Sequence, residues 1–366
     1  MSKKRKLDLD NKTILVTGSP GFIGANLVIR LLKDKTLMNS GRIISFDSMN
    51  DYYDPKLKEY RLGLIKEAAA ESNVSHIFVK GNLGDKEAVD RVFKEYTPDI
   101  VVNLAAQAGV RYSIEHPELY IEANLVGFYN ILEACRHSYD DGKEGVKHLV
   151  YASSSSVYGG NKKVPFAVRD NVDHPVSLYA ATKKSNELMA HAYSKLYGIP
   201  STGLRFFTVY GPWGRPDMFY YSATEKLKKG GTIKIFNHGN MKRDFTYIDD
   251  IVEGIVRVMG GAPVKETGED GLDTAPYCVY NIGGGKPENL LDFVDTLQKK
   301  LVSVGILKQD YDFMAHRELV GMQPGDVPVT YADSKALEED FGFTPKIGIS
   351  EGLENFCRWY KEYTGA

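Results

Sequence analysis

Thr13-Ile14-Leu15-Val16-Thr17-Gly18-Ser19-Pro20-Gly21-Phe22-Ile23-Gly24 decides the fold. Its first four residues are β-branched or apolar, as a strand requires, and three glycines then recur at every third position. A helical stretch with apolar residues at Leu27, Val28, Leu31 and Leu32 follows at once. A strand that turns tightly into a helix needs residues without Cβ, both for the turn and for close helix–strand packing. The same geometry lets a backbone approach a pyrophosphate at the helix N-terminus, where free N–H groups and the dipole favour anions. In a strand–turn–helix setting, G-x-x-G-x-x-G therefore predicts a dinucleotide site; the alternative is a turn that is merely structural.

Outward from this stretch the pattern alternates. Strand-like runs stand at Ile43–Asp47, His76–Val79, Ile100–Leu104, His148–Tyr151 and Ser201–Leu204, and helical stretches between them include Lys86–Tyr96, Tyr120–His137 and Leu178–Tyr197. Such repeated alternation of short apolar strands and helices predicts an α/β fold with a doubly wound, Rossmann-type parallel sheet. After Phe206 the rhythm breaks. Residues 207–245 are rich in Gly, Pro and aromatics, with a short strand signal at Ile233–Phe236; a helix is expected over Asp249–Met259, an exposed loop over Gly260–Pro276, and helices near Asn289–Leu301, Ser334–Phe341 and Ser350–Tyr363. The expected organisation is an N-terminal tail (1–10), a dinucleotide-binding domain (11–206 plus 246–283) and a smaller lobe capping the sheet (207–245 plus 284–366). The basic run Lys3-Lys4-Arg5-Lys6 reads as part of a solvated, disordered tail.

Asp47 ends the second strand, 23 residues after Gly24. An acid there accepts hydrogen bonds from ribose hydroxyls and repels a 2′-phosphate, which favours NAD over NADP; a strand-end turn would also use an Asp. Tyr179-Ala180-Ala181-Thr182-Lys183 places a phenol and an ammonium on one helix face. Upstream, the run Ser153–Ser156 follows a strand end, where a doubly wound sheet binds its ligands. A phenol serves as a base only when its pKa falls, which a neighbouring cation such as Lys183 favours; a serine hydroxyl can hold the same substrate oxygen.

Composition narrows the class. The chain has 366 residues, 43 % hydrophobic and 26 % charged, with a net charge of −2, so no global field recruits nucleic acid or an anionic membrane. No apolar run reaches the length of a membrane span or has the form of a signal peptide. Cys135, Cys278 and Cys357 lie far apart without metal-ligand spacing. A cytoplasmic protein without a metal is expected.

These motifs, in this order and spread from Thr13 to Tyr363, resemble the extended short-chain dehydrogenase/reductase family and, within it, the nucleotide-sugar epimerases. Four stretches resemble those of UDP-glucuronate 4-epimerases: Phe46–Asp54, Leu104–Ser113, Arg205–Met218 and Met322–Val327. The resemblance implies an isomerase that inverts C4 of UDP-glucuronate through a transient 4-keto sugar, using NAD. It implies Ser154, Tyr179 and Lys183 as the catalytic set, Tyr179 being the base. For the cofactor it implies Gly18, Gly21, Phe22, Ile23, Asp47, Asn82, Leu83, Leu104, Ala105 and Ala106, with Tyr179 and Lys183. For the substrate it implies Thr208 and Arg215 on the sugar carboxylate, Arg111 facing sugar and diphosphate, Ser154 and Ser155 at the sugar, and Arg243, Gln323 and Asp326 on uridine and diphosphate. A homodimer joined through the helices Tyr120–His137 and Leu178–Tyr197 is implied as well.

Two positions depart from the family pattern: Asn82 stands where an Asp is common, and Asn103 where a His is frequent. Arg317 reads equally as a diphosphate ligand or as a surface arginine. Rival activities differ at the strand end. Nucleotide-sugar 4,6-dehydratases carry an Asp-Glu pair there and glucuronate decarboxylases a Glu, whereas this chain has Ser155-Ser156. UDP-glucose/UDP-galactose 4-epimerase stays open as the alternative, since it needs no carboxylate anchor. An NAD-binding regulator without turnover is a further class, one that usually loses the Tyr or the Lys.

Overall fold

The computed structural model describes residues 3–268, 271–323 and 326–365. Seven parallel strands form the central sheet: β1 (Lys12–Thr17), β2 (Gly41–Asp47), β3 (Ser75–Lys80), β4 (Ile100–Asn103), β5 (His148–Ser154), β6 (Ser201–Phe206) and β7 (Tyr277–Ile282). Their order across the sheet is β7-β6-β5-β4-β1-β2-β3. The chain thus winds one way from β1 to β3 and the other way from β4 to β7, and β1 and β4 flank the reversal, where such sheets open a crevice beyond their C-terminal ends.

Both faces of the sheet are covered, which is why its strands are near-continuous apolar runs. Ile14, Val16, Ile43, Val102 and Val150 face a core with Leu27, Val28 and Leu31 of the helix Phe22–Lys33 and with Ile251 and Ile255 of the helix Ile248–Met259. Leu15, Ile44, Val101, Leu149 and Tyr151 face the other way, against Phe93, Phe128, Ile131 and Ala190. Alternate residues of each strand serve opposite cores, as a pleat with period two requires.

The segment after β6 carries more structure than its composition announces. It holds a strand Thr208–Tyr210, a helix Phe219–Lys228 and the strands Ile233–Ile235 and Lys242–Tyr247. Thr208–Tyr210 pairs parallel with Phe245–Tyr247, and Lys242–Asp244 pairs with Pro287–Asn289. Asp244 ties this small sheet to two loops: its buried carboxylate accepts from the backbone N–H groups of Gly284 (2.6 Å), Gly285 (3.1 Å) and Ala332 (2.9 Å). The helix expected over Tyr120–His137 is a composite of Pro117–Tyr120, a π-helical stretch Ile121–Val126 and Gly127–His137.

The basic N-terminal run is not a disordered tail. Lys4–Lys6 pairs antiparallel with Gly261–Pro263, inside the segment expected to be a loop. Lys4 forms an ion pair with Asp340 and lies 5.1 Å from the centre of the Phe341 ring. Backbone pairing and a carboxylate partner hold charges that composition alone assigns to solvent.

Candidate active site

A cavity of about 640 Å³ opens at the C-terminal ends of the central strands. One wall is the glycine turn. Gly18 has φ +70°, and a Cβ there would lie 2.8 Å from the Ala105 amide nitrogen, so β4's exit loop packs directly on the turn. A Cβ on Gly24 would lie 2.2 Å from the Gly18 carbonyl oxygen. The helix Phe22–Lys33 starts at Gly21 with no side chain capping it. Its first N–H groups have no intrahelical partner, and Gly21, Phe22 and Ile23 all face the cavity. That is the arrangement an anion such as a pyrophosphate requires.

Asp47 stands at the end of β2, its carboxylate accepting from the Met49 N–H at 2.6 Å. Burial pushes its pKa up, and the Lys58 ammonium, 3.8 Å away, pulls it back. Asn82, at the next strand end, donates to Glu122 at 2.7 Å and accepts from the Gly84 N–H at 3.0 Å. Leu83, Leu104, Ala105 and Ala106 line the same side.

The opposite wall is built by β5 and the helix Leu178–Tyr197. Ser177 caps that helix, its side chain accepting from the Ala180 N–H, and this sets Tyr179 and Lys183 on the cavity face one turn apart. Lys183 is buried and its ammonium donates to the Ala152 carbonyl at 2.9 Å. Burial lowers its pKa to about 8. Burial raises the phenol of Tyr179, while a hydrogen bond with Ser154 and the charge of Arg215 pull it down. The charge of Asp217 opposes that of Arg215, and the phenol stays above its ordinary value. Ser154 also accepts from Ser156, through its N–H at 3.2 Å and its hydroxyl at 2.9 Å.

The small sheet supplies the third wall. Thr208, Arg215 and Arg243 face the cavity, as do Ser155 and Asp326. Arg215 holds Asp217 through two parallel bonds of 2.9 and 2.8 Å. Arg243 donates to the Pro328 carbonyl at 3.2 Å. Arg111 is not part of the wall; it reaches Asp326 at 3.2 Å and lies 5.1 Å from the centre of the Phe236 ring. Gln323 also stands outside the wall, with a buried Oε1 that has no hydrogen-bond partner among the described residues. Of the stretch Met322–Val327, residues 324 and 325 lie outside the described residues. Arg317 is placed elsewhere, packed against Asp295 and Gln298 within the lobe.

Lys58, Tyr52 and Asp217 were not legible as site residues. Lys58 belongs to the helix Pro55–Ala70, whose signal is the Asp54 cap followed by Pro55 at its first position. The Tyr52 hydroxyl lies 3.4 Å from Asp217.

Known proteins resemble this chain in sequence and fold. Residues 14–283 match the NAD dependent epimerase/dehydratase family. Protein CapI of Staphylococcus aureus is 49 % identical over 356 residues, covering 96 % of this chain and 98 % of the relative. The probable UDP-glucuronate 4-epimerase of Rhizobium meliloti is 42 % identical over 355 residues, covering 95 % of this chain and 96 % of the relative. Among solved structures, the UDP-glucuronic acid 4-epimerase of Bacillus cereus, in complex with UDP-glucuronic acid and NAD, superposes with a TM-score of 0.78 at 29 % identity, over 96 % of this chain and 99 % of that one. Glycine turn, strand order and end-to-end likeness agree: the chain belongs to the NAD dependent epimerase/dehydratase family.

Proposed function

We propose that the protein converts UDP-glucuronate to UDP-galacturonate by inverting C4 through a transient 4-keto sugar, with NAD as the hydride carrier. The observation that carries this reading is the presence of Arg215 and Thr208 in the same cavity as Tyr179, with Arg215 close enough to act on the phenol. A planar guanidinium is the group of choice for a carboxylate. The names of the relatives support the same substrate, and the glycine turn with its uncapped helix start and Asp47 fits NAD.

In this reading Tyr179 takes the O4 proton and Ser154 holds the same oxygen, while Lys183 secures the wall on which both stand. NAD, which the glycine turn and Asp47 would hold, would supply the hydride acceptor for C4 and the donor to its opposite face. The 4-keto sugar with a carboxylate on C5 is a β-keto acid, which loses CO₂ when the breaking bond aligns with the carbonyl π system. In each of the two poses in which hydride is transferred, Arg215 and Thr208 hold the carboxylate out of that alignment. Ser155 and Ser156 provide no carboxylate to act as an extra acid or base, which disfavours dehydratase and decarboxylase chemistry. Arg243 and Asp326 at the wall, Arg111 at the rim and Gln323 behind it are assigned to uridine and diphosphate, and residues 207–245 with 284–366 to the nucleotide-sugar lobe.

A homodimer is supported by exposed apolar side chains on both implicated helical segments: Ile121 (42 %) and Val126 (42 %) on one, Leu188 (60 %) and Leu196 (71 %) on the other. Three free thiols suit the reducing cytoplasm we assign to it. Among the described residues no helix is long and apolar enough to cross a membrane.

The test is to incubate the purified protein with UDP-glucuronate, without added NAD, and to follow the anomeric and H4 proton signals by NMR. UDP-galacturonate is the expected product and would show a retained cofactor. A pentose product would make the protein a decarboxylase. No change with UDP-glucuronate, alongside interconversion of UDP-glucose and UDP-galactose, would overturn the carboxylate reading.

A further inference from the structure

Arg215, the residue assigned above to the sugar carboxylate, already holds a carboxylate. Asp217, two residues on, takes one bidentate edge of its guanidinium: Nε to Oδ1 at 2.9 Å and Nη2 to Oδ2 at 2.8 Å. This is the bidentate geometry a ligand carboxylate would seek. The pair is held by a tight turn, in which the Met218 N–H donates to the Arg215 carbonyl at 3.1 Å. Asp217 is not locked in place. Its side chain is 32 % exposed, so it can return to water at small cost, and the Tyr52 hydroxyl stands 3.4 Å from Oδ2 as an alternative donor.

We propose that Asp217 is the exchange partner of Arg215: it holds the guanidinium in the empty site, yields it to the carboxylate of the arriving UDP-sugar, and takes it back when that carboxylate must let go. The inference rests on the reading of Arg215 given above. Exchange of one carboxylate for another leaves the guanidinium paired throughout, so neither step strands a half-buried charge. The need for release is specific to this chemistry. A 4-keto sugar must present its other face within the site, and its carboxylate cannot stay in one fixed bidentate grip while the ring turns over. A neutral sugar makes no such exchange, because a hydroxymethyl group cannot displace Asp217 from the fork.

The signature is kinetic. Without its competitor, Arg215 binds the sugar carboxylate more tightly and releases it more slowly, so KM and kcat fall together. A residue that merely shaped the loop would raise KM instead.

The test compares wild type, Asp217→Asn, Asp217→Ala and Arg215→Ala as full-length holoenzymes. Steady-state kinetics with UDP-glucuronate are read together with calorimetric binding of UDP-glucuronate, UDP-glucose and UDP. Asp217→Asn is expected to lower both KM and kcat for UDP-glucuronate by roughly two- to fivefold, the worth of one partly exposed ion pair. Binding of UDP-glucose and of UDP should stay unchanged, and Asp217→Ala should shift in the same direction as the Asn variant. A rise in KM for both Asp217 variants, with Arg215→Ala weakening UDP-glucuronate selectively, would overturn the exchange role and leave Arg215 as the anchor. Equal binding of UDP-glucuronate to wild type and Arg215→Ala would overturn the anchor itself, and the exchange role with it.

Discussion

The ammonium of Lys183 donates to the carbonyl of Ala152 at 2.9 Å, fastening the helix of the catalytic tyrosine to the strand that ends at Ser154. The bond does not offset burial, which lowers the lysine pKa to about 8. An unfolded lysine titrates near 10.4, so between about pH 8 and 10.4 the folded protein binds fewer protons than the unfolded chain. Stability contributed by this group therefore rises with pH across that window and is lost as pH falls through 8. Lys183→Met removes the linkage. Relative to that variant, the wild type should gain about 2–3 kcal/mol between pH 7.5 and 10.5. Urea unfolding of both proteins at the two pH values checks this; a constant difference would mean that Lys183 titrates normally.

Gly18 admits no side chain. Its φ of +70° disfavours an L residue, and a Cβ would meet the Ala105 backbone at 2.8 Å, where nothing flexible can yield. Gly18→Ala should lower stability by about 2 kcal/mol or more and release the cofactor, because the exit loop of β4 must move off the turn. Thermal melting and the nucleotide content of the purified protein report the two effects. Gly63, with open space around it on the helix Pro55–Ala70, should accept Ala without loss.

Asp47 and Lys58 set the charge at the cavity end of β2, where the ribose is proposed to sit. Lys58 is held by Asn50 through its side-chain oxygen (2.6 Å) and its carbonyl (3.0 Å), as well as facing Asp47. Asp47→Asn should weaken NAD, through loss of the ribose acceptor, and admit NADP, since the repulsion is gone and a cation remains. The NAD-to-NADP affinity ratio should fall by roughly tenfold or more. Titration of cofactor-stripped protein with each nucleotide decides; an unchanged ratio would place the ribose away from Asp47.

The sequence carried the sheet further than it carried the site. Six of the seven central strands were legible as short β-branched or apolar runs alternating with helical stretches. β7 was not. Tyr277-Cys278-Val279-Tyr280-Asn281-Ile282 lies at an edge, half of it only partly buried, behind a Gly- and acid-rich segment. The helix Phe219–Lys228 was missed for a related reason: it starts without a capping side chain, on three aromatics that favour strands. The Lys4–Lys6 strand pairs with residues more than 250 positions away, a distance over which no local pattern carries information. Within the site, the glycines, Tyr179 and Lys183 were legible as residue types at fixed spacing, and Ser154 and Arg215 through the family resemblance. Which neighbours two of these side chains hold was not. Lys183 on Ala152 and Arg215 on Asp217 are consequences of burial and of a turn, and exist only once the chain has folded.

Beneath the catalytic wall lies an ion pair that no spacing rule exposes. Glu187, on the helix of Tyr179 and Lys183, accepts from Arg205 of β6 at 2.7 and 2.8 Å, and from the Ser153 hydroxyl of β5 at 2.7 Å. Arg205 extends the network to Tyr158, which donates to Asn281 of β7. Every member is buried, so each charge depends on the others for hydration it has lost. Glu187→Ala strands the guanidinium and should cost about 3–5 kcal/mol, whereas Glu187→Gln keeps the hydrogen bonds and should cost less. Because β5, β6 and the helix of Tyr179 meet at this carboxylate, its loss should also lower kcat by misplacing Tyr179 against Ser154. Denaturant unfolding separates the two variants, and kcat measured well below the melting temperature isolates the positional effect. Equal stability of the Ala and Gln variants would show that the charge of Glu187 is not what holds Arg205.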